Sequence, residues 1–254
     1  MLSDILKKRF KAGETLYGTF IDSCCEDLIE IVGLAGFDFA VVDSEHSTAD
    51  PATGLRLLRA AETRNLPTLI RVPNDLPSTI LKVMDFGSAG VMVPLVHTAA
   101  QAQAVTDSVK YYPRGRRGTA MMRGADYCFI DNEEYFSRTN NNAFVMVQAE
   151  SMESIANLKA ISETKELDSV FIGPYDLSQS MGIPGQVNDP RMLTVIESAA
   201  KTIRAAGKVA GIFAGSVENA KRFANWGYQL ITYSADLNIF GAAARELAAK
   251  LKKS

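Results

Sequence analysis

Cysteine, histidine and tryptophan are scarce in this chain of 254 residues, which contains three cysteines, two histidines and one tryptophan. Cys24 and Cys25 are adjacent, so their Cβ atoms point apart, and Cys128 makes the number odd. This pattern excludes a disulfide framework, and the absence of a Cys-x-x-Cys pair argues against a thiolate zinc site. We expect free thiols in a reducing cytoplasm.

An excess of positive charge is also missing, since 27 Lys and Arg face 29 Asp and Glu, for a net charge of -2. Such a chain lacks the basic field that nucleic acid or an anionic membrane surface would require. No apolar run approaches the length of a membrane-spanning helix, and the first residues lack the apolar core of a signal peptide. We therefore expect a cytoplasmic protein that binds neither nucleic acid nor membrane.

The chain does contain a regular alternation of strand and helix patterns. Eight short segments are apolar on both faces, as strands covered on both sides are; they are TLYGTFI, DFAVVDS, PTLIRV, AGVMVPL, AFVMVQAE, DSVFIG, KVAGIFA and QLITYSA. Helical patterns lie between them, and several end at a glycine. The sequence thus predicts one (β/α)₈ barrel domain over residues 1–254. An open doubly wound sheet is the alternative, but no Gly-rich dinucleotide loop follows the first strand.

Charged side chains stand where several predicted strands end; they are Asp43, Glu45, His46, Arg71, Glu150 and Asp176. In a parallel barrel the carboxyl ends of the strands converge on the face that holds the active site. The pattern favours an enzyme over a scaffold.

Glu150 and Asp176 follow neighbouring predicted strands, so their carboxylates are expected to lie close together. Close carboxylates repel each other, and a hard divalent cation such as Mg²⁺ or Mn²⁺ would remove the conflict. Salt bridges to Arg or Lys at the barrel rim would remove it equally well, and spacing alone does not separate the two arrangements.

His46 is a candidate general base, because a neighbouring acid can orient its imidazole. His97 has no acidic neighbour and is expected to be structural. Arg71 can clamp a carboxylate or polarise a carbonyl, or pair with Asp43 or Glu45. After the turn at Gly173 and Pro174, the backbone N–H groups that follow could donate to a small carboxylate. No lysine ends a strand, which disfavours Schiff-base chemistry.

One connection is unusually long, from Tyr111 to Asn142, and contains Arg114, Arg116, Arg117 and Arg123. Long loops in compact domains are often functional. We expect this one on the active-site side of the barrel, as a lid or a subunit contact.

Read in order, VVDSEHS, LIRVP, VMVPLV, the RRG of the long connection, VQAES and FIGPYDLSQSMG resemble the HpcH/HpaI aldolase family over nearly the whole chain. The resemblance implies a divalent-metal-dependent class II pyruvate aldolase, with Mg²⁺, Mn²⁺ or Co²⁺ as cofactor. It implies that Glu150 and Asp176 bind the metal, that His46, oriented by Asp43, is the general base, and that Arg71 stabilises the enolate.

The resemblance further implies that Gln148 lies in the substrate pocket and that the backbone around Gly173, Pro174 and Tyr175 holds the pyruvate carboxylate. Asp85 matches an aspartate that reaches a neighbouring subunit's site, in a hexamer built as a trimer of dimers with exchanged C-terminal helices. Tyr175 stands where many members have Ala, and Ser44 where many have Gly, which leaves the aldehyde partner open.

The expected reaction is reversible cleavage of a 4-hydroxy-2-oxo acid to pyruvate and an aldehyde. Decarboxylation of oxaloacetate, or another lyase reaction through the same enolate, is the alternative. A non-catalytic barrel would be expected to lack one of the catalytic groups, and this chain has the acids, the histidine and the arginine.

Overall fold

Eight parallel strands close into a barrel in the computed structural model, which describes residues 2–252. The strands are β1 Leu16–Ile21, β2 Phe39–Asp43, β3 Thr68–Arg71, β4 Gly90–Val93, β5 Phe144–Ala149, β6 Ser169–Ile172, β7 Val209–Ala214 and β8 Leu230–Ala235. Each pairs with the next in sequence, and β8 pairs with β1. The predicted (β/α)₈ barrel and all eight strands are confirmed.

Helices surround the barrel and follow the strands; they are α1 Leu2–Lys11, α2 Glu26–Leu34, α3 Pro51–Glu62, α4 Pro77–Asp85, α5 Ala99–Val109, α6 Asn132–Asn142, α7 Met152–Ala156, α8 Leu158–Ser162, α9 Pro174–Ser180, α10 Pro190–Ala205, α11 Val217–Asn225 and α12 Asp236–Leu251. Between residues 2 and 252, no helix is both long and apolar enough to cross a membrane.

Both faces of the strands are buried, which explains their continuous apolar sequences. Along β2, Val41 belongs to the cluster that fills the barrel interior, whereas Ala40 and Val42 pack outward against the helices. Leu6 and Phe10 of α1 join the interior cluster, and the ring of Phe10 lies 5.5 Å from that of Phe144. Helix α1 therefore packs against the amino-terminal end of the barrel and leaves the other end open.

Strand register brings the charged residues at the carboxyl ends into adjacent places. Asp43 is paired with Arg71 between β2 and β3, and Ala149 with Ile172 between β5 and β6, so Glu150 and Gly173 come next to each other. The pairing of β1 with β8 shifts after Gly18, near Ser234, whose φ is 54°.

The long connection does not lie where the sequence predicts. It follows α5, which returns the chain to the amino-terminal end of the barrel before the connection begins. Its 3₁₀ helix, Arg123–Cys128, packs against α4, and the Arg123 guanidinium donates to the carbonyl oxygen of Phe86 at 2.7 Å. The expected placement as an active-site lid is wrong, because α5 separates β4 from this segment; a subunit contact stays a prediction.

Lys110, at the start of this connection, is fully buried, and its Nζ donates to the carbonyl oxygens of Asn140 and Ala143 at 3.0 and 2.9 Å. Burial lowers the pKa of Lys110 to about 7.

Replacing Lys110 by methionine should lower the free energy of unfolding by about 2 kcal/mol, because two buried carbonyls at the end of α6 lose their donor. Urea denaturation at neutral pH measures the change, with Lys165→Met, an exposed lysine, as the control. An unchanged midpoint in Lys110→Met would contradict the prediction.

Candidate active site

A cavity of about 340 Å³ opens at the carboxyl ends of the strands. Its lining combines aromatic rings with acids, an arginine and a histidine, namely Phe20, Asp22, Asp43, His46, Arg71, Gln148, Phe171, Gly173, Pro174, Tyr175, Asp176, Phe213, Ala235 and Asn238. Most of the residues that the sequence predicts for the site are therefore neighbours in space.

Arg71 is held rigidly at the base of the cavity. Its Nε and Nη2 donate to the two carboxylate oxygens of Asp43 at 2.9 and 2.6 Å, and Glu45 Oε2 lies 3.4 Å from Nε. The guanidinium also lies over the ring of Phe20, 4.6 Å from its centroid. This fork uses two of the nitrogens and leaves Nη1 for an oxygen of a ligand.

The Asp43 carboxylate accepts four hydrogen bonds, two from Arg71 and two from backbone N–H groups. Burial works to raise the pKa of Asp43, but the hydrogen bond and charge of Arg71 and the backbone N–H groups of Glu45 and His46 outweigh it and hold the pKa below the usual value. The carboxylate therefore stays ionised and fixes both the guanidinium and the start of the following loop.

The imidazole of His46 is largely exposed and does not contact the Asp43 carboxylate. Asp43 Oδ1 accepts the backbone N–H of His46 at 3.3 Å, whereas the ring Nε2 lies 3.7 Å from Glu45 Oε2. The expectation that Asp43 orients the imidazole is therefore wrong. The Asp43 carboxylate instead accepts hydrogen bonds from Arg71 and from two backbone N–H groups. Glu45 is the carboxylate next to the ring, and burial raises its pKa.

Glu150 is 4 % exposed and is held by two donors. The backbone N–H of Leu95 donates to Oε1 at 2.8 Å, and Gln148 Nε2 donates to Oε2 at 2.7 Å. Leu95 has a φ of 56°, a conformation that costs energy for a residue with a side chain. Burial raises the pKa of Glu150 to about 7, against the Leu95 hydrogen bond, and the charges of Asp176 and Glu45 raise it further.

Gly173 leaves room for this carboxylate, since a Cβ at that position would come within 2.5 Å of Glu150 Oε2. It precedes α9, whose first turn contains Asp176. Tyr175 extends over the outer part of the cavity and packs against Phe213, with ring centroids 5.7 Å apart. The predicted turn is thus the entry to a short helix with its backbone close to Glu150.

Two of the singled-out residues lie elsewhere. Asp85 ends α4 and accepts from Nη2 of the buried Arg117 at 2.5 Å, away from the cavity described above; its expected reach into a neighbouring subunit stays a prediction. His97 Nδ1 lies 2.9 Å from Ser151 Oγ, which agrees with a structural role. No group of three or more His, Cys, Asp or Glu in residues 2–252 is arranged to hold a metal ion, so Glu150 and Asp176 would need oxygen ligands from water or substrate.

A larger cavity, of about 660 Å³, lies near the amino-terminal ends of β3 and β4. Its charged groups are already paired, Arg123 with Glu62 and Arg138 with Asp126. The chemistry of the smaller cavity, with its buried acid and fixed guanidinium, makes it the candidate active site despite its size.

The sequence did not point to Asp22 or to the aromatic wall of Phe20 and Phe213. Asp22 could have been found by the signal that identified Asp43 and Glu45, an acid just beyond a strand. The aromatic residues could not, because an inward-facing Phe of a strand gives the same pattern whether it fills the core or lines a cavity.

A (β/α)₈ barrel with a buried acid, a fixed arginine and an exposed histidine at its carboxyl-terminal mouth defines an enzyme. The profile of the HpcH/HpaI aldolase/citrate lyase family matches residues 16–243, and the chain belongs to this family. Membership confirms the predicted class of carbon–carbon lyases.

Individual relatives agree with this assignment. The chain is 32 % identical over 257 positions to a 5-keto-4-deoxy-D-glucarate aldolase of Enterobacter sp. (strain 638), and the match covers 100 % of both chains. Its fold is similar to that of an HpcH/HpaI aldolase/citrate lyase family protein from Burkholderia cenocepacia J2315, with a TM-score of 0.93, 29 % identity and coverage of 98 % of this chain and 100 % of the other. The citrate synthase SbnG is also similar, with a TM-score of 0.89, 27 % identity and coverage of 100 % and 99 %.

Proposed function

We propose that the protein is a divalent-metal-dependent class II aldolase that reversibly cleaves 4-hydroxy-2-oxo acids to pyruvate and an aldehyde. The observation that carries the proposal is the buried Glu150 carboxylate, which lies against Gly173 in the wall of the cavity that contains Arg71. Burial and the charge of Asp176 raise its pKa. The name of the Enterobacter relative supports the same type of reaction.

The donors at this position fit a hard cation. Glu150 and Asp176 supply carboxylate oxygens, and their repulsion is what a divalent cation such as Mg²⁺ or Mn²⁺ would relieve. A bound cation there would act as a Lewis acid that polarises the 2-oxo group of the substrate.

The residues of the chain supply the remaining steps. Arg71 Nη1 donates to the 2-oxo oxygen, where negative charge grows as the enolate forms, and Asp43 keeps the guanidinium in place. His46 takes the proton of the C4 hydroxyl, and the C3–C4 bond then breaks to give the aldehyde and the enolate of pyruvate. Glu45 lies beside the imidazole, with its Oε2 3.7 Å from Nε2 of the ring.

The space for pyruvate lies between Arg71 and the start of α9. Gly173, Pro174 and Tyr175 line this part of the cavity. The absence of a Cβ at Gly173 leaves room for the Glu150 carboxylate beside it. Gln148 lines it as well and, by donating to Glu150, fixes the carboxylate that faces the ligand.

Assembly into a hexamer with exchanged C-terminal helices is part of the proposal. Helix α12 supports it, because several large apolar side chains are exposed along its length, namely Leu237, Phe240, Leu247 and Leu251. An apolar helix face of this kind is expected to be covered by another subunit.

The test requires no knowledge of the aldehyde. Metal-stripped protein is incubated with pyruvate in D₂O, and the methyl proton signal is followed by NMR with and without Mg²⁺ or Mn²⁺. We expect methyl exchange that depends on the added cation. No exchange with either cation would contradict the proposal and favour oxaloacetate decarboxylation, which needs no proton removal from the pyruvate methyl group.

A further inference from the structure

One acid in the cavity has no role in the chemistry proposed above. Asp22 lies two residues beyond Phe20 of β1 and lines the same cavity. Its Oδ1 is buried and has no hydrogen-bond partner among the described residues. The carboxylate is therefore not part of the structural bonding of the strand ends.

The acid next to Asp22 is bonded quite differently. Asp236, at the first position of α12, accepts the backbone N–H of Asp22 at 2.9 Å, that of Ser23 at 3.3 Å and that of Leu237 at 2.8 Å, and also the Ser23 hydroxyl. Asp236 thus fixes the backbone that carries Asp22. Its negative charge, placed behind Asp22, adds to the negative potential at this side of the cavity.

The position of Asp22 relative to the proposed chemistry follows from the strand register. Ile21 of β1 is paired with Val42 of β2, so Asp22 comes next to Asp43 where the strands end. Asp22, Asp43 and His46 line the same cavity, so Asp22 lies on its β2 side with His46, where the C4 hydroxyl and the aldehyde half of the substrate would bind. Burial, and with it the charges of Asp43 and Asp236, raise the pKa of Asp22 to about 6.

Among the described residues that line the cavity, Arg71 is the one arginine or lysine. Its guanidinium already donates two hydrogen bonds to Asp43, so no second fixed positive charge is available for an anion on this side. The outer wall consists of Tyr175, Phe213 and Asn238. The rings of Tyr175 and Phe213 meet edge to face, and with Asn238 they offer apolar surface and neutral hydrogen-bonding groups.

We propose that Asp22 makes the aldehyde half of the site selective for an uncharged, hydroxylated aldehyde and unfavourable for an aldehyde that carries a carboxylate. The inference rests on the proposed aldolase function and specifies its substrate class. Asp22 accepts a hydrogen bond from a hydroxyl of the neutral aldehyde, whereas a carboxylate at the same place meets the like charge of Asp22.

Two aldehydes with the same carbon skeleton provide the test. Glyceraldehyde and tartronate semialdehyde differ in having a CH₂OH group or a carboxylate next to the CHOH carbon. In the synthetic direction the C3 carbon of pyruvate bonds to the aldehyde carbon, and the proton lost from the methyl group is balanced by the proton gained on the new C4 hydroxyl. The kcat/KM for each aldehyde is measured in wild type, Asp22→Asn and Asp22→Ser.

We expect wild type to prefer glyceraldehyde by at least about tenfold, and both variants to reduce that preference by about tenfold, a change of about 1.4 kcal/mol in relative transition-state binding. The reduced preference should come mainly from a lower KM of the two variants for tartronate semialdehyde. Asp27→Asn removes the same charge from an exposed position of α2 outside the cavity and should keep the wild-type ratio.

The pyruvate exchange assay is run on the same preparations, so that the two proposals can fail separately. Two results, each obtained with normal pyruvate exchange, would overturn the role of Asp22 and leave the aldolase function intact. One is a wild-type preference for tartronate semialdehyde. The other is a ratio of kcat/KM for the two aldehydes that stays within twofold of wild type in both Asp22 variants. Loss of exchange in wild type would overturn the proposed function and this inference with it.

Discussion

Replacing Arg71 by alanine should lower kcat for pyruvate methyl exchange on the order of 10²–10³-fold, comparable with the removal of one donor from an oxyanion hole. The guanidinium is fixed before the ligand arrives, by two hydrogen bonds to Asp43 and by the ring of Phe20. Its interaction with the developing enolate oxygen therefore costs little reorganisation, and KM should change much less than kcat.

The same substitution removes the partner of a buried carboxylate, since Asp43 is 2 % exposed. The Arg71→Ala variant should therefore unfold at a lower temperature, and rates must be measured where it is folded, as monitored by circular dichroism. Added methylguanidinium should restore part of the exchange rate in Arg71→Ala, which a purely structural role would not allow. Arg64→Ala removes an exposed arginine paired with Glu30 and is the control. Activity of Arg71→Ala within threefold of wild type would refute the assigned role.

The barrel was predictable because its strands are buried on both faces, so that each becomes an uninterrupted apolar segment bounded by charges. The strand ends at Asp43, Arg71 and Glu150 mark the point where the chain leaves the core. In a parallel barrel, side chains at the ends of adjacent strands come together, as Asp43 and Arg71 do. The order of the strands in the sequence is therefore enough to predict that these two residues are neighbours.

Details of the site that depend on side-chain direction could not be predicted in the same way. Asp43, Glu45 and His46 are too close in sequence for spacing to decide which acid faces the imidazole; the fork with Arg71 decides it in favour of Glu45. The long connection was assigned to the wrong end of the barrel because the helix before it was not taken into account. A helix of eleven residues, α5, lies between it and β4, and so returns it to the other end of the barrel.

Glu150→Gln is expected to abolish the binding of divalent cations while stabilising the cation-free protein. A neutral amide is a much weaker ligand than a carboxylate for Mg²⁺ or Mn²⁺, so affinity measured by calorimetry without pyruvate should fall at least about 100-fold. Glu153→Gln removes an exposed acid three residues away on α7 and should bind the cation as wild type does. Unchanged cation affinity in Glu150→Gln would remove Glu150 from the proposed ligand set.

The local structure can accept the amide. Leu95 N–H still finds an oxygen, and Gln148 needs only to rotate its side-chain amide, because its Oε1 is buried without a partner and can accept the new N–H. The variant therefore removes a charge and not a packing contact, and its effect on stability reports on that charge.

The stability gain should depend on pH in a defined direction. Burial first, and then the charges of Asp176 and Glu45, raise the folded-state pKa of Glu150 to about 7, well above the ordinary value of 4.5. Protonated Glu150 therefore favours the fold below its unfolded-state pKa, and this contribution is lost as pH rises through about 7. Cation-free wild type should lose up to about 3 kcal/mol of unfolding free energy relative to Glu150→Gln between pH 5 and pH 8. Urea denaturation at the two pH values measures the difference, and saturating Mn²⁺ should reverse it in wild type alone. If the free energy of unfolding changed equally with pH in the two proteins, ionisation of the buried Glu150 carboxylate would not destabilise the fold, and the prediction would be wrong.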